Sequence, residues 1–358
     1  MRNRLVIAIL FLLNMSLFSN VAYSAKHEHF EMSVATSEDS MYQSTKALDK
    51  GLQKGVMKSE IIGKVKRIPI SDAKLQLGET TYTFDKHGFL YDKAKMTVHK
   101  PDDKTRRKLL DAYDSLRQEH YGELISWNEV ERSIPKYTQF EILDLDTGIA
   151  FYAEHRAGSG HADVQPLTFE DTKKMKQIYG KWSWKRRAIN IKVDGKLIAA
   201  SMNGMPHGKG AIRNGFPGHF CIHFKDSIVH KTRKVDLAHQ MMVYKGAGKL
   251  AELQGGLRAT EVVELFVQAL DHKEMHVLEQ LMSGRMERFV EEFFDQYDGI
   301  RFEHALEEDF EPSLLVSRVL ATVSPLDNGH LEKQRQLTFY LKRITPTDGW
   351  YIDTVVNE

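Results

Sequence analysis

Two spacings of apolar side chains alternate along the chain, and each predicts a different kind of element. Over 61–98 the pattern is strand-like, with alternation in Tyr82-Thr83-Phe84, and a polar turn at Asp85-Lys86-His87-Gly88 precedes Phe89-Leu90-Tyr91. A small β-rich piece is the expectation. Pro101-Asp102-Asp103 then supplies a helix N-cap, and Leu109, Leu110, Ala112, Tyr113 and Leu116 follow at helical spacing. Residues 26–60 carry few large apolar side chains and no sustained period, which reads as a flexible or helical lead-in.

From Ser126 the pattern changes. Ser126 and Glu129 form a capping box for a short helix stopped by Pro135. Two apolar-rich runs, 140–145 and 149–152, flank the turn Asp146-Thr147-Gly148, and two more, 189–193 and 196–199, flank Asp194-Gly195. Asp-Gly between alternating runs is a strong hairpin signal. Between these hairpins, 168–179 has helical spacing, with Thr168 and Asp171 placed to cap it. After Gly255-Gly256, Thr260 is the expected cap of a helix bearing Val262, Val263, Leu265, Phe266, Ala269 and Leu270. Val277, Leu278, Leu281 and Met282 continue in a second helix, and Phe289, Val290, Phe293 and Phe294 in a third. Strands are expected over 314–323, 336–341 and 350–355, the last two joined by Pro346-Thr347-Asp348-Gly349. The predicted fold class is therefore multi-domain, with a small α/β region over 25–125, a mainly-β core over 126–250 and an α+β unit over 257–358.

Composition narrows the class and the start of the chain suggests a compartment. The chain has 358 residues, 42% hydrophobic and 28% charged, which is ordinary for globular domains and long enough for more than one. Lysine plus arginine number 50 against 49 acids, so bulk charge gives no reason to expect a nucleic-acid partner. Arg2 and Arg4 precede an apolar run over 5–18, and the small-residue stretch Val21-Ala22-Tyr23-Ser24-Ala25 follows. This is the pattern of a secretory signal peptide over 1–24, cleaved near Ser24. The run is short beside the roughly 20 residues that span a bilayer, and no later stretch is longer or more apolar. The mature chain is expected outside the cytoplasm, in the cell envelope or periplasm, with no integral membrane segment.

The single cysteine excludes a disulfide framework and a thiolate cluster, so its thiol calls for another account. Seven of the 16 histidines lie between His155 and His239, and Cys221 lies among them. A strand over 219–224 would turn His219, Cys221 and His223 to one face and Phe220, Ile222 and Phe224 to the other. The polar face then offers a nucleophile with imidazoles in reach. Gly208, Gly210, Gly215 and Gly218 permit close passage of backbone or substrate, and amides near Phe220 and Cys221 are candidates for an oxyanion hole.

This segment resembles the catalytic core of the L,D-transpeptidases, whose signature is a histidine–glycine pair followed by serine-histidine-glycine-cysteine. His207-Gly208 matches the first element, and Gly218-His219-Phe220-Cys221-Ile222-His223 occupies the second. The resemblance, over 140–245, implies that Cys221 attacks a carbonyl of a peptidoglycan stem peptide, that His207 is the general base and that His219 lines the site. Gly218 stands where the family has serine, Phe220 where it has glycine, and His223 where many members have arginine. His223 joins the catalytic set on this reading, while Gly208, Gly218, Phe220, His161, Asp163, Trp182, Trp184 and Arg186 are the expected substrate contacts. The partner is peptidoglycan or its stem peptides, and neither a cofactor nor a metal is required. The order of helices and strands over 257–358 resembles the NTF2-like cone fold, which implies a concave pocket or a face for homodimerisation.

Two other readings compete. His161-Ala162-Asp163 follows the glycine-flanked turn Gly158-Ser159-Gly160 and, with His207, offers the three nitrogen or oxygen ligands of a metal-assisted envelope hydrolase. Alternatively the chain is a non-catalytic envelope scaffold or binding protein. Lys173, Lys174, Lys176, Lys181, Lys185, Arg186 and Arg187 interleave with Tyr179, Trp182 and Trp184, a mixture suited to an anionic wall polymer or stem-peptide carboxylates.

Overall fold

Residues 29–230, 233–283, 286–308 and 315–357 are described by the computed structural model. The leader expected over 1–24, and Leu314 at the start of one expected strand, lie outside them. The first unit contains β1 (Phe30–Val34), β2 (Ser44–Ala47), α1 (Lys50–Met57), β3 (Glu60–Lys64), β4 (Ala73–Leu77), β5 (Thr80–Phe84), β6 (Leu90–Asp92), β7 (Thr97–Lys100) and α2 (Asp103–His120). Its seven strands form one sheet in the order β2-β1-β4-β5-β6-β7-β3. The lead-in is thus neither flexible nor wholly helical: β1 sits between β2 and β4 and buries Phe30, Met32 and Val34 on one face. Three apolar residues at period two are too short a signal to register alone, yet they suffice once neighbouring strands supply partners. Asp102 caps α2 by accepting from the backbone of Lys104 and Thr105, and Leu109, Ala112, Tyr113 and Leu116 pack onto the sheet.

The second unit holds the site. It comprises α3 (Trp127–Ser133), β8 (Gln139–Asp144), β9 (Ala150–Ala157), β10 (Ala162–Pro166), α4 (Phe169–Tyr179), β11 (Arg186–Val193), β12 (Lys196–Asn203), β13 (Phe220–His223), α5 (Leu237–Gly246) and α6 (Leu250–Gly255). The six strands close into an antiparallel barrel, β10-β13-β12-β11-β8-β9. Asp194 and Gly195, at φ +48° and +76°, make the tight turn of the β11–β12 hairpin. Phe151, Val164, Ile189, Ile191, Ala200, Met202, Phe220 and Ile222 fill the interior. Each large side chain buried there contributes roughly 1.5–3 kcal/mol over an exposed one.

The third unit comprises α7 (Ala259–His272), α8 (Met275–Leu281), α9 (Glu287–Gln296), β14 (Gly299–Glu308), β15 (Val316–Asp327), β16 (His330–Leu331), β17 (Arg335–Lys342) and β18 (Tyr351–Asn357). Its main sheet runs β14-β15-β17-β18, with β16 paired to β15. Thr260 is not the cap of α7. The helix starts at Ala259, and the Arg258 amide is held by Glu261 Oε2 at 2.9 Å. β14 went unread in the sequence because the polar residues Arg301, Glu303, His304, Glu307 and Glu308 dominate it. The chain is therefore mixed α and β, and the described residues form three sheets with a buried cluster for each. α5 lies between the barrel and the third unit: it packs on β11 and β12, while Met241 and Met242 join the third unit's core. Lys245 near its end is 2% exposed and bonds both Asp146 (2.9 Å) and Glu274 (2.8 Å), tying the two units.

Candidate functional site

The site lies on the outer face of the barrel where β10, β13 and β12 run side by side. Because side chains alternate, burying Phe220 and Ile222 inside forces Cys221 and His223 outward. The register sets Asp163 of β10 opposite Cys221, and Ser201 of β12 opposite His223. The loop between β12 and β13 folds back on itself through a two-residue bridge: the His207 amide donates to the His219 carbonyl (3.0 Å) and the His219 amide to the His207 carbonyl (2.9 Å). Both imidazoles are thereby held over the strand.

Two glycines make that bridge sterically feasible. Gly218 has φ +122°, and a Cβ there would sit 2.3 Å from the His207 carbonyl oxygen; Gly208 has φ +61°, and its Cβ would meet the His219 ring at 2.3 Å. Their place in the site is as backbone. Gln165 locks the same loop, donating to Gly218 O at 2.9 Å and accepting from Ala211 N at 2.8 Å while 1% exposed.

Cys221 Sγ lies 3.2 Å from His207 Nε2. His207 Nδ1 lies 2.9 Å from the Met205 carbonyl oxygen, which can only accept, so Nδ1 carries the proton and Nε2 presents its lone pair to the thiol. Burial, together with the negative charge of Asp163, pushes the Cys221 thiol up to about 12. Burial also lowers the pKa of His207. The resting pair is therefore neutral, a thiol donating to an imidazole.

Asp163 is the hub of a wider imidazole array. Its Oδ1 lies 3.6 Å from His161 Nε2, 3.6 Å from His219 Nε2, 3.5 Å from His230 Nε2 and 3.9 Å from Cys221 Sγ. Burial opposes ionisation of this carboxyl, but the imidazoles of His161, His219 and His230 around it outweigh burial and hold the group at about 2. His161 Nδ1 bonds the Ile228 carbonyl (2.8 Å), which leaves Nε2 facing Asp163 with no hydrogen-bond partner.

His223 stands apart from the sulfur it was expected to serve. It stacks between His161 (4.4 Å) and His239 of α5 (3.7 Å), and His239 Nδ1 meets Ser201 Oγ at 2.8 Å. Burial depresses both His223 and His239 well below the usual imidazole range. They form a neutral column that supports His161 from behind. Phe220, expected to contact substrate, turns its ring into the barrel against Phe151 and Phe216. Trp182 packs edge-on against Phe216 at 5.2 Å, and Arg186 is committed to Asp236 at 2.6 Å. Of the aromatic–basic run only Trp184 reaches the site: half-exposed, its ring centroid is 5.1 Å from that of His207. Ser183 and Lys185, its neighbours, line a cleft of about 660 Å³ that Glu38, Asp146 and Glu274 also line, so that all three units border it.

Sequence reading placed Cys221, His207, His219, His161 and Asp163 in one site, and the fold brings these five together. It passed over His230, His239, Ser201 and Gln165. A period-two reading of 161–165 would have paired Gln165 with Asp163, but nothing local marks the three others. No protein-family model and no curated protein matches this chain.

Proposed function

We propose that the chain is an extracytoplasmic cysteine enzyme of the cell envelope, similar to L,D-transpeptidases, which transfers or hydrolyses an acyl group of a peptidoglycan-type peptide. The observation that carries this reading is the 3.2 Å contact between Cys221 Sγ and a His207 Nε2 whose tautomer the Met205 carbonyl fixes. His207 takes the thiol proton as sulfur attacks the substrate carbonyl, and the resulting imidazolium returns that proton to the departing amine. An acyl-thioester remains on Cys221. An incoming amine or water then loses its proton to His207, attacks the thioester and releases the thiolate, which recovers the proton.

Trp184, exposed beside His207, offers an apolar wall against which a peptide chain can lie. The third unit, read as NTF2-like, supplies a second surface and a route to self-association. The likeness to a transpeptidase core rests on the sequence motif, in which Gly218 and Phe220 stand where the family has serine and glycine.

The test is incubation of the mature chain with a stem tetrapeptide and an acceptor amine, followed by intact-mass analysis. The expected result is a covalent adduct on Cys221 and a loss of turnover of at least about a thousandfold in Cys221→Ala. Undiminished turnover by that variant, with its fold intact, would sink the proposal.

A further inference from the structure

The atoms around Asp163 are arranged for a cation as well as for acyl transfer. A tetrahedral zinc ion takes sulfur at about 2.3 Å and nitrogen or oxygen at about 2.0–2.2 Å, which sets N···O edges of about 3.4 Å and S···O edges of about 3.6 Å. His161 Nε2 and Cys221 Sγ lie 3.6 Å and 3.9 Å from Asp163 Oδ1, and the three ligand atoms all fall within 4.8 Å of one another. The two edges to Asp163 Oδ1 need contract by only about 0.2–0.3 Å. His207 lies outside this set, so the ligands that converge differ from the His161, Asp163 and His207 trio expected of a hydrolase.

Three further features point the same way. His161 is 2% exposed, and its Nε2 is a buried ring nitrogen without a hydrogen-bond partner, directed at the carboxylate. The Ile228 carbonyl holds the opposite nitrogen of that ring, the outer-shell bond that orients a metal-binding imidazole. A carboxylate 3.9 Å from the sulfur repels a thiolate unless a cation lies between them.

We propose that Zn²⁺ binds reversibly to Cys221 Sγ, His161 Nε2 and Asp163 Oδ1 and, by holding the sulfur, silences the nucleophile. The thiol proton leaves to solvent as the metal–sulfur bond forms, so binding strengthens with rising pH. The fourth position is open to water or to His219, whose Nε2 faces the same carboxylate and whose Nδ1 lies 3.2 Å from the Lys209 carbonyl. Silencing rests on the cysteine-enzyme reading, whereas metal binding does not.

The two are tested apart on the full mature chain. Titration with Co²⁺ reports binding through a thiolate-to-cobalt charge-transfer band, and alkylation of Cys221 with and without Zn²⁺ reports access to the sulfur. One equivalent of Co²⁺ should give the band, Cys221→Ser should lose it, and His161→Ala should weaken binding by at least about tenfold. Zinc should slow alkylation by about tenfold or more, a chelator should restore it, and His207→Ala should keep the band. Absence of the band, alkylation indifferent to zinc, or peptide turnover that rises with zinc would each overturn the proposal. Failure of the cysteine-enzyme reading would appear instead as undiminished turnover in Cys221→Ala, whatever the metal result.

Discussion

A serine at position 218 should damage this protein, and the structure gives the size of the damage. Gly218 has φ +122°, a conformation open essentially to glycine, so any side chain there costs about 1–3 kcal/mol in backbone strain. The new Cβ would also lie 2.3 Å from the His207 carbonyl oxygen and 3.2 Å from that of Gly208, backbone atoms that cannot rotate aside. The bridge between His207 and His219 must open, with the loss of two hydrogen bonds worth about 1 kcal/mol each. Gly218→Ser and Gly218→Ala should therefore cost about 3–5 kcal/mol together with the Cys221–His207 contact. The control is Gly195→Ala in the β11–β12 turn, where φ is +76° and a Cβ meets nothing within 4 Å. It should cost about 1–2 kcal/mol from strain alone. Urea unfolding measures both. If Gly218→Ala costs no more than Gly195→Ala, the steric argument for this loop is wrong.

Three other outcomes follow from the packing. Lys245→Ala leaves Glu274 without this cation and Asp146 with Arg187 at 3.5 Å, and should lower stability by about 3–5 kcal/mol in thermal unfolding, with an effect centred on the contact between barrel and third unit. His120, fully buried beside Tyr42 and Tyr121, is lowered to about 4 by burial and by Arg117. Above pH 6.5 it is neutral folded or unfolded; as pH falls from 6.5 to 4 only the unfolded chain takes the proton, and roughly 3 kcal/mol of stability is lost. Unfolding curves across that range should flatten in His120→Gln, and an unchanged slope would refute the assignment. Trp184→Ala should change stability by less than about 0.5 kcal/mol, because the ring is half-exposed, yet should raise the KM for a peptide substrate; an unaltered KM removes Trp184 from the site.

Local chemistry made some of this molecule legible in advance. The Asp194-Gly195 turn, the caps at Asp102, Ser126 and Thr168, and the alternation that turns Cys221 away from Phe220 and Ile222 all depend on residues a few positions apart. The sequence by itself therefore determined that Cys221 would share a face with neighbouring histidines, and it picked out His207 and His161 as candidates through their glycine-rich surroundings. The family resemblance implied His207 as the base, but the local pattern of residues did not determine which imidazole meets the sulfur. Barrel closure set Asp163 opposite Cys221 across 58 residues and brought β12 in on the other flank, while packing of α5 placed His239 against His223. Those pairings come from register and from helix-on-barrel packing, which depend on the summed burial of many distant side chains, and no short window of sequence contains that sum. The same reason explains β1, whose three alternating residues become a strand only when β2 and β4 arrive on either side.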